Sequence, residues 1–183
     1  MTMAIPYTSL RELLHEELRA VEETKTSELM GQLKHVRKDR FLSKDELILI
    51  CRWKSPRALQ LIKSNRPATI KRLTQAAFNT RSEREKLETL RQLKGVSIPM
   101  ASAIMTLIWP ERYGVIDKRV WQLLHDLGSV TKNPSGVNFT FDNWYSLLCK
   151  LRYHAKQMKV SVRAVEHTLF EYHKIVQTGN LYK

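Results

Sequence analysis

At 183 residues the chain is long enough to bury one core or two small lobes sharing a cleft, and too short for more. A hydrophobic fraction of 43% and a charged fraction of 27% are those of an ordinary globular protein and exclude a disordered or low-complexity chain. With 31 Lys+Arg against 18 Asp+Glu the formal charge is +13, so the folded surface attracts polyanions, a nucleic acid first among them.

Helix starts are marked by capping chemistry along the whole chain. Ser9 with Glu12 forms a capping-box pattern ahead of Leu10, Leu13, Leu14, Leu18 and Val21, which share one helical face. Leu29, Met30, Leu33 and Val36 make a second apolar stripe, and Ser43 with Glu46 caps a third over Leu47, Ile48, Ile50 and Cys51. Ser55 followed by Pro56 suits an N-cap and first-turn proline for a helix through Ala58, Leu59, Leu61 and Ile62, closed by Asn65. Pro67 opens a segment with Ile70, Leu73, Ala76 and Ala77, and Ser82 with Glu85 caps another carrying Leu87, Leu90 and Leu93.

Ala101, Ile104, Met105 and Ile108 recur at helical spacing until Pro110 stops them. Asp117 caps a stripe of Val120, Trp121, Leu124 and Leu127, ended by Gly128. The segment from Ser129 to Phe139 holds Asn133, Pro134, Ser135 and Gly136 and reads as a loop. Asp142 leads into Trp144, Tyr145, Leu147, Leu148 and Leu151, and Ser161 into Val162, Val165, Leu169, Tyr172 and Val176. Without period-two alternation the class is all-α, one helical domain over 1–183, with two helical lobes of 1–55 with 140–183 and of 56–139.

Cys51 and Cys149 both sit in apolar helical patterns and read as buried structural thiols, too few to hold an iron-sulfur cluster. His15, His35, His125, His154, His167 and His173 lack metal-ligand spacing, so neither a metal nor any other cofactor is expected. No stretch approaches the ~20 apolar residues of a spanning helix, and the first residues lack a signal-peptide layout. The expectation is therefore no membrane partner and a cytoplasmic monomer, nucleoid-associated if bacterial.

Leu93-Lys94-Gly95-Val96-Ser97 joins two helices by a very short turn, with Gly95 free to take positive φ and Ser97 able to cap the following helix. Such a turn points backbone N–H groups outward at a helix N-terminus, where unpaired amides and the helix dipole suit a phosphate. Lys94 adds a mobile positive charge.

From Leu93 the chain reads LKGVSIPMASAIMTLIWPERYGVIDKRVWQLL. This resembles the helix-hairpin-helix, Gly/Pro-rich loop and aspartate signature of the base-excision DNA glycosylase superfamily. Leu93, Gly95, Val96, Ser97 and Ala101 match the hairpin, and Val115-Ile116-Asp117 matches the segment that delivers the aspartate. The resemblance covers roughly Ser82 to Gly128. It implies a DNA-glycosylase-like fold, double-stranded DNA as partner, a phosphate grip at Lys94 to Ser97, and Asp117 as the catalytic carboxylate. Breaking the bond between base and deoxyribose builds positive charge on the sugar, which a carboxylate stabilises while it orients or deprotonates the attacking water.

Two positions depart from the signature. Pro99 stands where bifunctional members carry a Schiff-base lysine, which implies a monofunctional enzyme unless Lys118 or another lysine reaches the sugar. Ser97 replaces the second hairpin glycine. A non-catalytic helix-hairpin-helix module that binds DNA is the alternative, and a helical protein-interaction domain with incidental charge is the third reading. Trp53 and Tyr113 are the expected walls of a base pocket, whereas Trp109, Trp121 and Trp144 fall on core stripes. Lys54, Arg57, Lys118 and Arg119 are the expected phosphate contacts beside the hairpin.

Overall fold

The computed structural model describes residues 5–177. These form eleven α-helices and a 3₁₀ turn, and no strand is found among them, so the fold is all-α. In chain order they are α1 (Leu10–Glu17), α2 (Thr24–Gln32), α3 (Val36–Asp39), α4 (Lys44–Lys54), the 3₁₀ turn Pro56–Ala58, α5 (Leu59–Lys63) and α6 (Pro67–Asn79). There follow α7 (Glu83–Leu90), α8 (Ile98–Ile108), α9 (Lys118–Asp126), α10 (Phe141–Met158) and α11 (Val162–Val176). Ser9, Ser43, Ser82, Ser97, Asp117, Thr140 and Ser161 each accept a hydrogen bond from an amide in the first turn of the helix they open.

The interior is one hydrophobic cluster running from Leu10 to Val176. Every residue of α8 except Pro99 is buried, so this helix is apolar all round and forms the axis on which α2, α4 and α7 pack. On the other side α11 gathers α1, α9 and α10. The packing crosses the lobes expected from the sequence: α2 packs on α8, α4 on α5, α6 and α8, and α9 on α11. Because α8 and α11 each draw helices from distant parts of the chain, the segment between them is held from both sides, and that segment carries Asp117.

Several local expectations are corrected. Helix α1 ends at Glu17, Leu18 leaves helical geometry, and Val21 is 85% exposed instead of continuing the stripe. Leu61 is likewise exposed, because α5 is only five residues long and turns that position outward. The stripe from Leu29 to Val36 is broken into α2 and α3. Helix α10 is opened by Thr140 in a capping box with Asn143, while Asp142 lies in its first turn and pairs with Arg84 at 3.3 Å. Cys51 is buried, but Cys149 faces outward on α10 and is not a core thiol. Among the described residues no helix is long and apolar enough to cross a membrane.

Candidate active site

The α7–α8 connection is a tight hairpin whose geometry follows from its sequence. Gly95 has φ +81°, and a Cβ there would meet Leu61 Cβ at 3.0 Å and the Ile62 amide nitrogen at 3.2 Å. Glycine is needed twice over, for the left-handed backbone and for the close approach to α5. Ser97 caps α8, accepting from the Met100 amide at 3.5 Å, and Pro99 fits the first turn, where no N–H is required.

Asn65 holds the hairpin from outside it. Its Oδ1 accepts from the Lys94 amide at 2.9 Å, and its Nδ2 donates to the Lys94 carbonyl at 2.9 Å and the Ile62 carbonyl at 3.0 Å. The Val96 amide donates to the Leu93 carbonyl at 3.1 Å within the turn. The Val96 amide, expected to help hold a phosphate, therefore already has a partner within the turn, and the Lys94 amide has one in Asn65, which leaves the Lys94 side-chain charge as its offering to the groove. The donors left at the tip are the N–H groups of Gly95, Ser97 and Ile98.

Asp117 is the N-cap of α9. Its Oδ1 accepts from the Val120 amide at 3.0 Å and its Oδ2 from Lys54 Nζ at 3.2 Å. The preceding segment is fixed by close packing. The buried Ser102 hydroxyl on α8 accepts from the Ile116 amide at 3.1 Å, and the Arg163 amide on α11 donates to the Pro110 carbonyl at 2.9 Å. Gly114 leaves no room for a side chain, since a Cβ would lie 2.6 Å from Leu151 and 2.9 Å from Glu166.

Hairpin and carboxylate border one groove of about 1010 Å³. Lys54, Arg57, Lys94, Gly95, Val96, Ser97, Asp117 and Lys118 all line it, so most of the expected site residues meet there. The loop residues Gly136, Val137, Asn138 and Phe139 close the far wall. Trp121 anchors that loop through an Nε1 hydrogen bond to the Asn133 carbonyl at 2.8 Å and an edge contact with Phe139.

Asp117 and Lys54 also line a smaller cavity of about 290 Å³, so their ion pair stands between the two spaces. Trp53 is a wall of this inner cavity, with Phe170, Thr26 and Glu166. Its ring is fixed by an Nε1 hydrogen bond to Thr26 at 3.0 Å and by Arg163 over its face at 5.6 Å. Below the pair, Glu166 is fully enclosed; burial pushes its carboxyl above the usual carboxylate range, Arg163 opposes this, and Asp117 adds to it. Arg163 hydrogen-bonds both Glu166 and Glu22, which satisfies charges that would otherwise be costly to bury.

Two expected residues lie elsewhere. Tyr113 is 1% exposed, its hydroxyl donates to Glu83 at 2.9 Å, and it lines a third cavity that has no residue in common with the groove. Packing of the 110–117 segment turns it away from Asp117. Arg119 points toward α11, 3.4 Å from His173 Nδ1, and lines neither groove nor inner cavity. Sequence reading missed Asn65, the loop wall and the α11 residues beneath Asp117. Only Asn65 had a local signal, and it suggested a helix stop.

No family model, no curated protein and no solved structure matches this chain. What the site can do therefore rests on its own geometry.

Proposed function

We propose that the chain is a DNA N-glycosylase that hydrolyses the glycosidic bond of a damaged or modified base, without cutting the strand. The observation that carries this reading is that Asp117 and the hairpin tip border one groove, with Lys54, Arg57, Lys94 and Lys118 supplying cations along it. The hairpin signature supports a helix-hairpin-helix glycosylase arrangement. In this reading the Gly95, Ser97 and Ile98 amides hold a backbone phosphate, and cations along the groove hold its neighbours. An extruded nucleotide then passes the Lys54–Asp117 pair, with its base against Trp53 in the inner cavity. Asp117 stabilises the cationic sugar and orients water, while Pro99 in place of a nucleophilic lysine leaves hydrolysis by water as the route.

The second reading is a DNA-binding module without chemistry. It is favoured by one observation: both Asp117 oxygens already have partners, the Val120 amide and Lys54. Duplexes carrying alkylated, oxidised, deaminated or phage-modified bases, incubated with the protein and scored for abasic sites, separate the two. Release of any base supports the glycosylase; binding of every duplex with no abasic product supports the module.

A further inference from the structure

The third cavity, of about 450 Å³, shares no lining residue with the groove, and its chemistry is different. Arg40, Arg81, Lys86 and Arg112 supply its charge, Trp109 and Tyr113 its aromatic walls, and none of its lining residues is acidic. We propose that this cavity is an anion site that takes the phosphate group of a phosphomonoester. It is independent of the reading of Asp117.

Charge counting around the cavity carries the argument. Two carboxylates stand at its edge: Glu83, already engaged by Arg152 at 2.7 Å, by the Tyr113 hydroxyl at 2.9 Å and by Lys86 at 3.8 Å, and Glu85, which accepts from the lining Thr80 hydroxyl at 2.5 Å. Arg40 is held by neutral groups, the Phe78 carbonyl, Asn79 Oδ1 at 3.3 Å and the face of Trp109 at 5.6 Å. Arg112 lies against the Tyr113 ring at 5.8 Å. Cations thus outnumber the carboxylates beside them, with Lys86 buried, Arg40 half-buried, and Arg81 and Arg112 exposed. Buried charge is normally matched, and an unmatched cluster of one sign is the arrangement that an incoming ion of the other sign relieves.

Lys86 shows the imbalance most clearly. It is 6% exposed, and its ammonium donates to the Tyr113 hydroxyl at 3.2 Å. Burial pushes it below the usual lysine range, Glu83 pulls the other way, and Arg112, Arg152 and Arg40 push it down further. Arg40 is brought to the cavity by a left-handed backbone, φ 63°, at the end of α3, a conformation that residues with a side chain adopt at a cost.

The ligand class follows from number and geometry of donors. Arginine forks suit planar pairs of phosphate oxygens, and several cations around one pocket suit the dianion of a terminal phosphate better than the single charge of an internal diester. A terminal phosphate comes from a free nucleotide or from a nucleic-acid end, and both present the same group.

The test is thermal melting of the whole protein with inorganic phosphate, a nucleoside 5′-monophosphate, or a short oligonucleotide with and without a 5′-phosphate, chloride holding ionic strength constant. The melting temperature should rise with each phosphate probe and not with chloride alone. Arg81→Gln and Lys86→Met should weaken the apparent affinity at least about ten-fold, the loss of one charge-assisted contact. Lys156→Gln, at an exposed cation of α10 that lines none of the three cavities, should leave inorganic phosphate binding unchanged. Arg81 is exposed, so its variant keeps the test decisive if Lys86→Met fails to fold. A larger rise with the mononucleotide points to a free nucleotide, and a rise that depends on the 5′-phosphate of the oligonucleotide points to a strand end; either supports the site. An equal response from Arg81→Gln and the unmodified protein, or no response to phosphate beyond that to chloride, overturns it.

Discussion

Replacing Asn65 by leucine should loosen the hairpin without touching its sequence. Asn65 is 6% exposed and bonds Lys94 through both its amide and carbonyl, besides the Leu61 and Ile62 carbonyls at the end of α5. Leucine fills the volume but leaves the Lys94 N–H and C=O without their partner. Each stranded, partly buried group costs about 1–3 kcal/mol, and allowing for water reaching one of them the loss is about 2–4 kcal/mol. For a domain of this size that lowers the melting temperature by about 4–16 °C. Asn65→Asp sharpens the test: it keeps the acceptor for the Lys94 amide but sets an oxygen against three carbonyls, so it should melt no higher than the leucine variant. Circular dichroism melts read the stability, and DNA titration at fixed salt should show weaker binding in parallel. If Asn65→Leu melts within about 1 °C of the unmodified protein, far under the shift expected for such a loss, the hairpin is not held in this way.

Gly95→Ala should destabilise the fold by at least about 1 kcal/mol in urea unfolding, since an alanine there is strained at φ +81° and crowds Leu61. Lys94→Gln should reduce the slope of log affinity against log salt by about 0.9 if its charge meets a phosphate, which titrations at several salt concentrations measure. His173 is 2% exposed, and burial, aided by Arg119, holds its imidazole below the ordinary 6.5, while Asp117 and Asp126 oppose this. The unfolded chain therefore binds this proton more readily than the folded one, so the contribution is intact above pH 6.5 and is lost as pH falls toward the folded value. His173→Gln should flatten that part of the melting-temperature profile relative to the unmodified protein. Borohydride added during reaction with an abasic duplex should trap no protein–DNA adduct; a trapped adduct lost in Lys54→Met would instead make Lys54 a nucleophile.

The helices were legible because their caps are short-range chemistry: Ser43 with Glu46, and Asp117 with the Val120 amide, form as their spacing requires. The meeting of hairpin and carboxylate in one groove was also foreseeable, since the span from Leu93 to Asp117 is continuous in sequence. Contacts between distant segments were not. Asn65 reaches Lys94 across 29 positions, and Lys54 reaches Asp117 across 63. Tyr113 lies only four residues before Asp117, yet close packing at Gly114 and the Ser102 contact to Ile116 set the two side chains facing different cavities. In an irregular segment no period tells which way a side chain turns, whereas on α8 and α9 helical spacing does.

The central claim, that Asp117 promotes base release at the hairpin groove, is tested most directly by single-turnover excision with Asp117→Asn. Asparagine can still cap α9, so the fold should persist, while the charge that the proposal sets against the sugar is removed. The account predicts a fall in excision rate of about 10²-fold or more, with DNA affinity equal or tighter because a negative charge has left the groove. Excision at the unmodified rate by a folded, DNA-bound Asp117→Asn protein would contradict it.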